Sequence, residues 1–100
     1  MSVFIETDAS GWMSIRITDR FDFNAHTEFR RTYSEGTVCA GYVIDLSRTT
    51  FIDSAALGML LVLREHVGDD PARLVVKGAS GQPLEVLKVA HFERLFSVAA

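Results

Sequence analysis

The sequence predicts a small α/β domain built on a mixed β-sheet, and three observations carry that reading. Two β-rich runs near the N-terminus flank the turn-forming segment DASG. Three later stretches switch to a helical period. Short apolar runs of the kind that form buried central strands lie between them. The expected order is β-β-α-β-α-β-α with a possible terminal strand. Strands that alternate with helices imply a largely parallel sheet, and the opening antiparallel hairpin adds a mixed edge.

Positions 2–6 and 12–18 read as the two strands of the hairpin. In WMSIRIT, Met13, Ile15 and Ile17 share one face, and Asp8, Ser10 and Gly11 supply turn chemistry. FDFNAHTEFRRTYSEG then changes period. Ala25, Phe29 and Tyr33 recur at helical spacing, with Asn24 placed as N-cap and Gly36 as stop, which predicts a helix near 25–35. Positions 42–46, YVIDL, are apolar apart from Asp45 and suit a central strand. Positions 54–67 predict a second helix ending at Gly68, and RLVVKG at 73–78 another strand. Positions 82–90 predict a third helix, with Pro83 in its first turn, where a missing N–H costs little. LFSVA is the possible last strand.

One hundred residues suit a single domain over 1–100, and 48% apolar with 23% charged residues is ordinary for a packed globular core. Acids outnumber bases by 13 to 10, for a net charge of −3, and no basic stripe is visible. Nucleic acid is therefore not the expected partner. MSVFIETD lacks the basic and apolar regions of a secretory leader. AALGMLLVL, positions 55–63, falls well short of the roughly 20 residues that cross a bilayer. The expectation is a soluble, cytoplasmic chain without membrane insertion. Cys39 stands alone, so no internal disulfide can form.

The second helix carries the most information. Ala56, Leu60, Leu63 and Val67 form one apolar stripe that should face the sheet. Ser54, Gly58, Leu61 and Glu65 lie about 200° around the wheel, away from the core. That leaves a small-small-apolar patch suited to docking, which Ala55, Met59 and Val62 could widen. A plainer reading stands beside it. Ser54 could serve only as N-cap, and Gly58 only to admit a neighbouring helix.

Enzymatic chemistry finds little support. A serine nucleophile needs a base and an oxyanion hole, and no G-x-S-x-G elbow is present. His66 is three turns along the helix from Ser54, roughly 18 Å by the rise per residue, too far for a triad. His26, His66 and His91 are scattered and read as surface or capping residues. One cysteine and no His-x-His spacing make a metal site improbable, and no metal or cofactor is expected. Gly78 and Gly81 in KGASGQP form a connector rather than a phosphate loop.

IDLSRTTFIDSAALGMLLVLREH resembles the signature of the STAS-domain anti-sigma factor antagonists. That pattern is an apolar strand ending in Asp-Leu, then aromatic-apolar-Asp-Ser-Ser/Thr-Gly/Ala-Leu-Gly opening a helix. Tyr42 to Leu46 match the strand; Phe51, Ile52, Asp53, Ser54, Leu57 and Gly58 match the junction. RFDFNAHTEFRR and HFERLFSV are similar to the family's segment before its first helix and to its closing segment. Ala55 replaces the usual second Ser/Thr, and Asp19-Arg20 replaces the glycine usual before the Phe-Asp turn.

The resemblance implies a bacterial, non-enzymatic switch built on a STAS fold. Unphosphorylated, such a protein binds an anti-sigma factor, often a serine kinase, and frees the sigma factor. The kinase would phosphorylate Ser54 and a PP2C-type phosphatase would reverse it. The implied partner surface is Asp53, Ser54, Ala55, Gly58 and Leu61, with Asn24 beside them. An alternative role for the same fold is an accessory or scaffold subunit of a lipid or anion transporter or of a stress-sensing complex.

Overall fold

The hairpin forms where one carboxylate gathers the turn. Asp8 Oδ1 accepts from the Ser10 N–H at 2.9 Å, the Trp12 N–H at 3.0 Å and the Ser10 hydroxyl at 2.6 Å. Gly11 sits at φ +89, in the left-handed region that favours glycine. The strands on either side are β1 (Ser2–Thr7) and β2 (Trp12–Phe21). The computed structural model describes residues 2–34, 39–68 and 70–99. Gly36, the expected stop of the first helix, lies outside them.

After β2 come a 3-10 turn (Phe23–Ala25), α1 (His26–Ser34), β3 (Gly41–Asp45), β4 (Thr49–Ile52) and α2 (Ser54–His66). The chain closes with β5 (Leu74–Lys77), α3 (Gly81–Val89) and β6 (Ser97–Ala99). The expected order holds, the terminal strand is present, and β4 is an addition. β2 also runs three residues beyond its expected end at 18.

The sheet order is β1-β2-β3-β5-β6, with β4 pairing the far end of β2. β1 is antiparallel to β2; the β2–β3, β2–β4, β3–β5 and β5–β6 pairs are parallel. Side chains alternate between faces. Met13, Ile15, Ile17, Tyr42, Ile44, Leu74 and Val76 are buried on one face. On the other, Arg16 and Lys77 are exposed and Ser14, Val43, Asp45 and Val75 half-buried. Phe29 of α1, Leu60 and Leu63 of α2 and Leu87 of α3 belong to the same core as the buried face. The molecule is therefore two layers, a sheet with helices on one side.

The open face carries a short charge ladder. Register places Arg16 beside Asp45 and Asp45 beside Lys77. The Arg16 Nε lies 4.0 Å from Asp45 Oδ2. Burial pushes the Asp45 carboxyl up, but the Ser47 hydroxyl and N–H, with the charges of Lys77 and Arg16, outweigh it and hold the carboxyl below its usual 3.8. A carboxylate depressed on folding contributes stability above its unfolded value and loses it as pH falls through the folded one. Asp45→Asn should destabilise the domain at neutral pH. The difference from wild type should narrow as the pH drops below 3.8, read from urea unfolding midpoints across the acid range.

Candidate functional site

Residues 47–53, unassigned between the expected strand at 42–46 and the expected helix at 54–67, contain a further strand. β3 ends at Asp45, whose Oδ1 accepts from the Ser47 N–H at 2.9 Å, and the Thr49 N–H closes the turn on the Leu46 carbonyl at 3.0 Å. The chain then resumes as β4, parallel to the last residues of β2. The Thr49 hydroxyl, buried, donates to the Ile17 carbonyl at 2.6 Å. Four residues are too few to display a period. The β-branched and aromatic run Thr-Thr-Phe-Ile was the signal available.

β2 bends to meet β4. Asp19 takes φ +63, and the register shifts between Asp19 and Arg20. These two residues stand where the resemblance expects glycine, and Asp19 adopts the left-handed conformation that glycine favours. The Arg20 guanidinium lies 4.0 Å above the Phe51 ring, a cation–π contact, and its Nε is 3.4 Å from Asp22 Oδ2. On the other flank, the Gln82 side-chain amide accepts from the Ile52 N–H at 2.9 Å and donates to the Ile52 carbonyl at 3.0 Å. A side chain of α3 thus pairs with β4 as a neighbouring strand would.

This frame fixes the start of α2. Asp53, extended at φ −120, is the N-cap, and its Oδ1 accepts from the Ala56 N–H at 2.9 Å. The plainer reading of Ser54 as the cap is therefore corrected: Ser54 is the first residue of the helix and is exposed. The N–H groups of Ser54 and Ala55 are the remaining donors of the first turn. A Cβ built on Gly58 would meet nothing within 4 Å, so this glycine does not make room for a packed neighbour. Leu61 and Val62 are 38% and 52% exposed.

The expected core stripe of Ala56, Leu60, Leu63 and Val67 is buried. Two flank residues differ from expectation. Met59 is buried in the core, because α1 packs along that side of α2, and Ala55 is half-buried against the same core. Asn24 is not an N-cap. Asp22 holds that position, accepting from the Asn24 N–H at 3.0 Å, and Asn24 lies inside the 3-10 turn before α1. Sequence reasoning also missed Phe23, 72% exposed in that turn. A phenylalanine between Asp22 and Asn24 in a turn was the available signal.

Between α1 and α2 runs an open groove of about 850 Å³ lined by His26, Phe29, Tyr33, Gly58, Met59 and Val62 among others. His66 closes one end, its ring 5.1 Å from Tyr33 and 6.4 Å from Tyr42. Burial pushes both tyrosine hydroxyls above their usual range, and for Tyr42 the Cys39 thiol adds to it. Among the described residues no three His, Cys, Asp or Glu side chains gather as a metal-binding group.

A family model described as "Mlab, STAS domain" matches residues 6–97. The chain belongs to the STAS domain family. It is 40% identical over 88 residues, 87% of either chain, to the "STAS-domain containing protein PA14_20770" of Pseudomonas aeruginosa (strain UCBPP-PA14). Several solved structures share its fold, among them the following three. An anti-sigma factor antagonist from Mycobacterium paratuberculosis superposes with a TM-score of 0.81 at 17% identity, over 98% of this chain and 84% of that one. The Bacillus cell fate determinant SpoIIAA in its phosphorylated form gives 0.70 at 20%, over 99% and 92%. A sulfate transporter family protein from Wolinella succinogenes gives 0.74 at 16%, over 94% and 80%. This STAS domain thus has the single-sheet α/β architecture that the sequence implied.

The junction's two supports should be separable by stability. Asp53→Ala should cost about 0.5–2 kcal/mol and Asp53→Asn much less, since asparagine also caps. Gln82→Ala leaves the Ile52 N–H and carbonyl without their partner and should cost about 1–3 kcal/mol. Both are read by chemical denaturation.

Proposed function

We propose that this STAS domain is an anti-sigma factor antagonist switched by phosphorylation at Ser54. Unphosphorylated, it binds an anti-sigma factor, which in this family is often a serine kinase, and thereby releases the sigma factor; phosphorylation switches it off and a PP2C-type phosphatase restores it. The observation that carries the reading is an exposed hydroxyl at the first position of α2, directly after a cap supplied by Asp53 and one turn before the bare backbone of Gly58. The fold shared with an antagonist and with a phosphorylated SpoIIAA supports it.

The physical logic separates host from visitor. A phosphoserine carries about −1.5 to −2 charges and three acceptor oxygens. At Ser54 it meets the positive end of the α2 dipole and the first-turn N–H groups, so the fold tolerates it. A partner seated over Ser54, Gly58 and Leu61 would instead have to bury an unpaired dianion, at a cost of several kcal/mol. Each ~1.4 kcal/mol is tenfold in affinity, so one phosphate suffices to end binding. Asp53 adds a neighbouring negative charge that sharpens the effect. Asn24, in the turn beside α2, belongs to the same partner surface, as does Ala55 at its inner margin.

A second reading, an accessory subunit of an anion transporter, draws on the likeness to a sulfate transporter family protein. The two are separated by the neighbouring genes, a kinase, phosphatase or sigma factor in one case and transporter subunits in the other.

Incubation with those kinases and ATP, followed by mass mapping, should place one phosphate on Ser54. In calorimetric titration with the anti-sigma factor, Ser54→Ala should bind as the unmodified protein does, and Ser54→Asp at least about tenfold more weakly. Comparable affinities for wild type and the acidic variant would overturn the switch. Gly58→Arg should abolish binding while leaving the thermal midpoint nearly unchanged, since its side chain enters open space.

A further inference from the structure

β1 ends the sheet, and among the described residues its pairing is with β2 alone. The Asp8 N–H donates to the Trp12 carbonyl at 2.9 Å, which makes that position a hydrogen-bonded pair of the hairpin. Such pairs alternate along an antiparallel ladder. Ser2, Phe4 and Glu6 therefore bond toward β2, and Val3, Ile5 and Thr7 turn their N–H and carbonyl groups to the free edge.

Natural edges are blunted by lysine, proline or a bulge. SVFIET has none of these; its one charge is Glu6, and its register with β2 is unbroken. The strand also exposes large apolar side chains on both faces, Phe4 at 55% and Ile5 at 53%. A shallow groove flanks it on each side, about 440 Å³ between Phe4 and Arg16 on the open face and about 390 Å³ between Ile5 and Arg31 on the helical face.

We propose that this edge pairs with a second copy of the chain, β1 against β1 and antiparallel, with Ile5 on the two-fold axis. The outward groups are self-complementary in that register. Val3 pairs with Thr7 of the second copy and Ile5 with its own counterpart, so three outward residues per copy find hydrogen-bonding partners. Ile5 is covered by Ile5. Phe4 lies opposite Glu6 of the second copy, so the strand's sole charge never confronts itself. A foreign strand would have to supply this alternation independently; a second copy carries it by symmetry. The pairing buries little beyond two strands and their flanking side chains, which puts it with the weak, reversible interfaces below about 1,200 Å². It does not depend on the role of Ser54.

Sedimentation velocity on the full chain should show a reversible monomer–dimer equilibrium that shifts with protein concentration. Ile5→Pro removes an N–H that bonds nothing within one copy, so the fold keeps its pairing with β2. It should weaken the dimer at least about tenfold. Ile5→Lys should do the same through charge on the axis, with an unchanged far-ultraviolet spectrum. In a Cys39→Ser background, oxidation should cross-link Ile5→Cys chains across the two-fold and leave Val3→Cys chains single. A monomer at every concentration overturns the proposal. So does a dimer indifferent to both Ile5 variants, or equal cross-linking of the two cysteine variants.

Discussion

The short parallel pairing of β4 with the end of β2 is the constraint on which the site depends. It spans only three residue pairs, one of them offset by a bulge. Without it, residues 47–53 would be a loop, and the start of α2 would have no fixed place over the sheet. Three unlike contacts hold it: the buried Thr49 hydroxyl on the Ile17 carbonyl, Arg20 over the Phe51 ring, and the Gln82 amide on Ile52. The left-handed Asp19 is what lets β2 turn enough to receive it.

Given that frame, structural duty and exposure fall on adjacent residues. Asp53 satisfies the helix end, and Ser54 points away with no capping to perform. Had Ser54 been the cap, esterifying its oxygen would disturb the acceptor the helix relies on. With the cap one residue earlier, modification at Ser54 is compatible with an intact helix. Gly58 extends the same division, because it contributes no side chain to the core and leaves its surroundings open.

Much of this was legible in the sequence. The alternation of Met13, Ile15 and Ile17, the stripe of Ala56, Leu60 and Leu63, and the turn residues of DASG each report a local period or a local backbone need, and these survive into the fold. What was not legible depends on non-local pairing. β4 is too short to show a period and exists because β2 is there to receive it. The N-cap assignments to Asn24 and Ser54 were each displaced upstream, to Asp22 and Asp53, since two good capping side chains in near succession cannot be ranked without the backbone angles. Met59 read as surface on an isolated wheel and became core only because α1 lies against it. Gln82 and Phe23 carried no periodic signal.

The Gln82 amide has a wider consequence. A single glutamine stands in for the strand that β4 lacks on that flank, so the sequence motif is not a self-contained loop-and-helix cassette. Grafting residues 47–66 onto another scaffold would carry over the serine and its cap while leaving behind the clasp that locates them. The portable unit is larger than the signature by which the family is recognised, because it extends into α3.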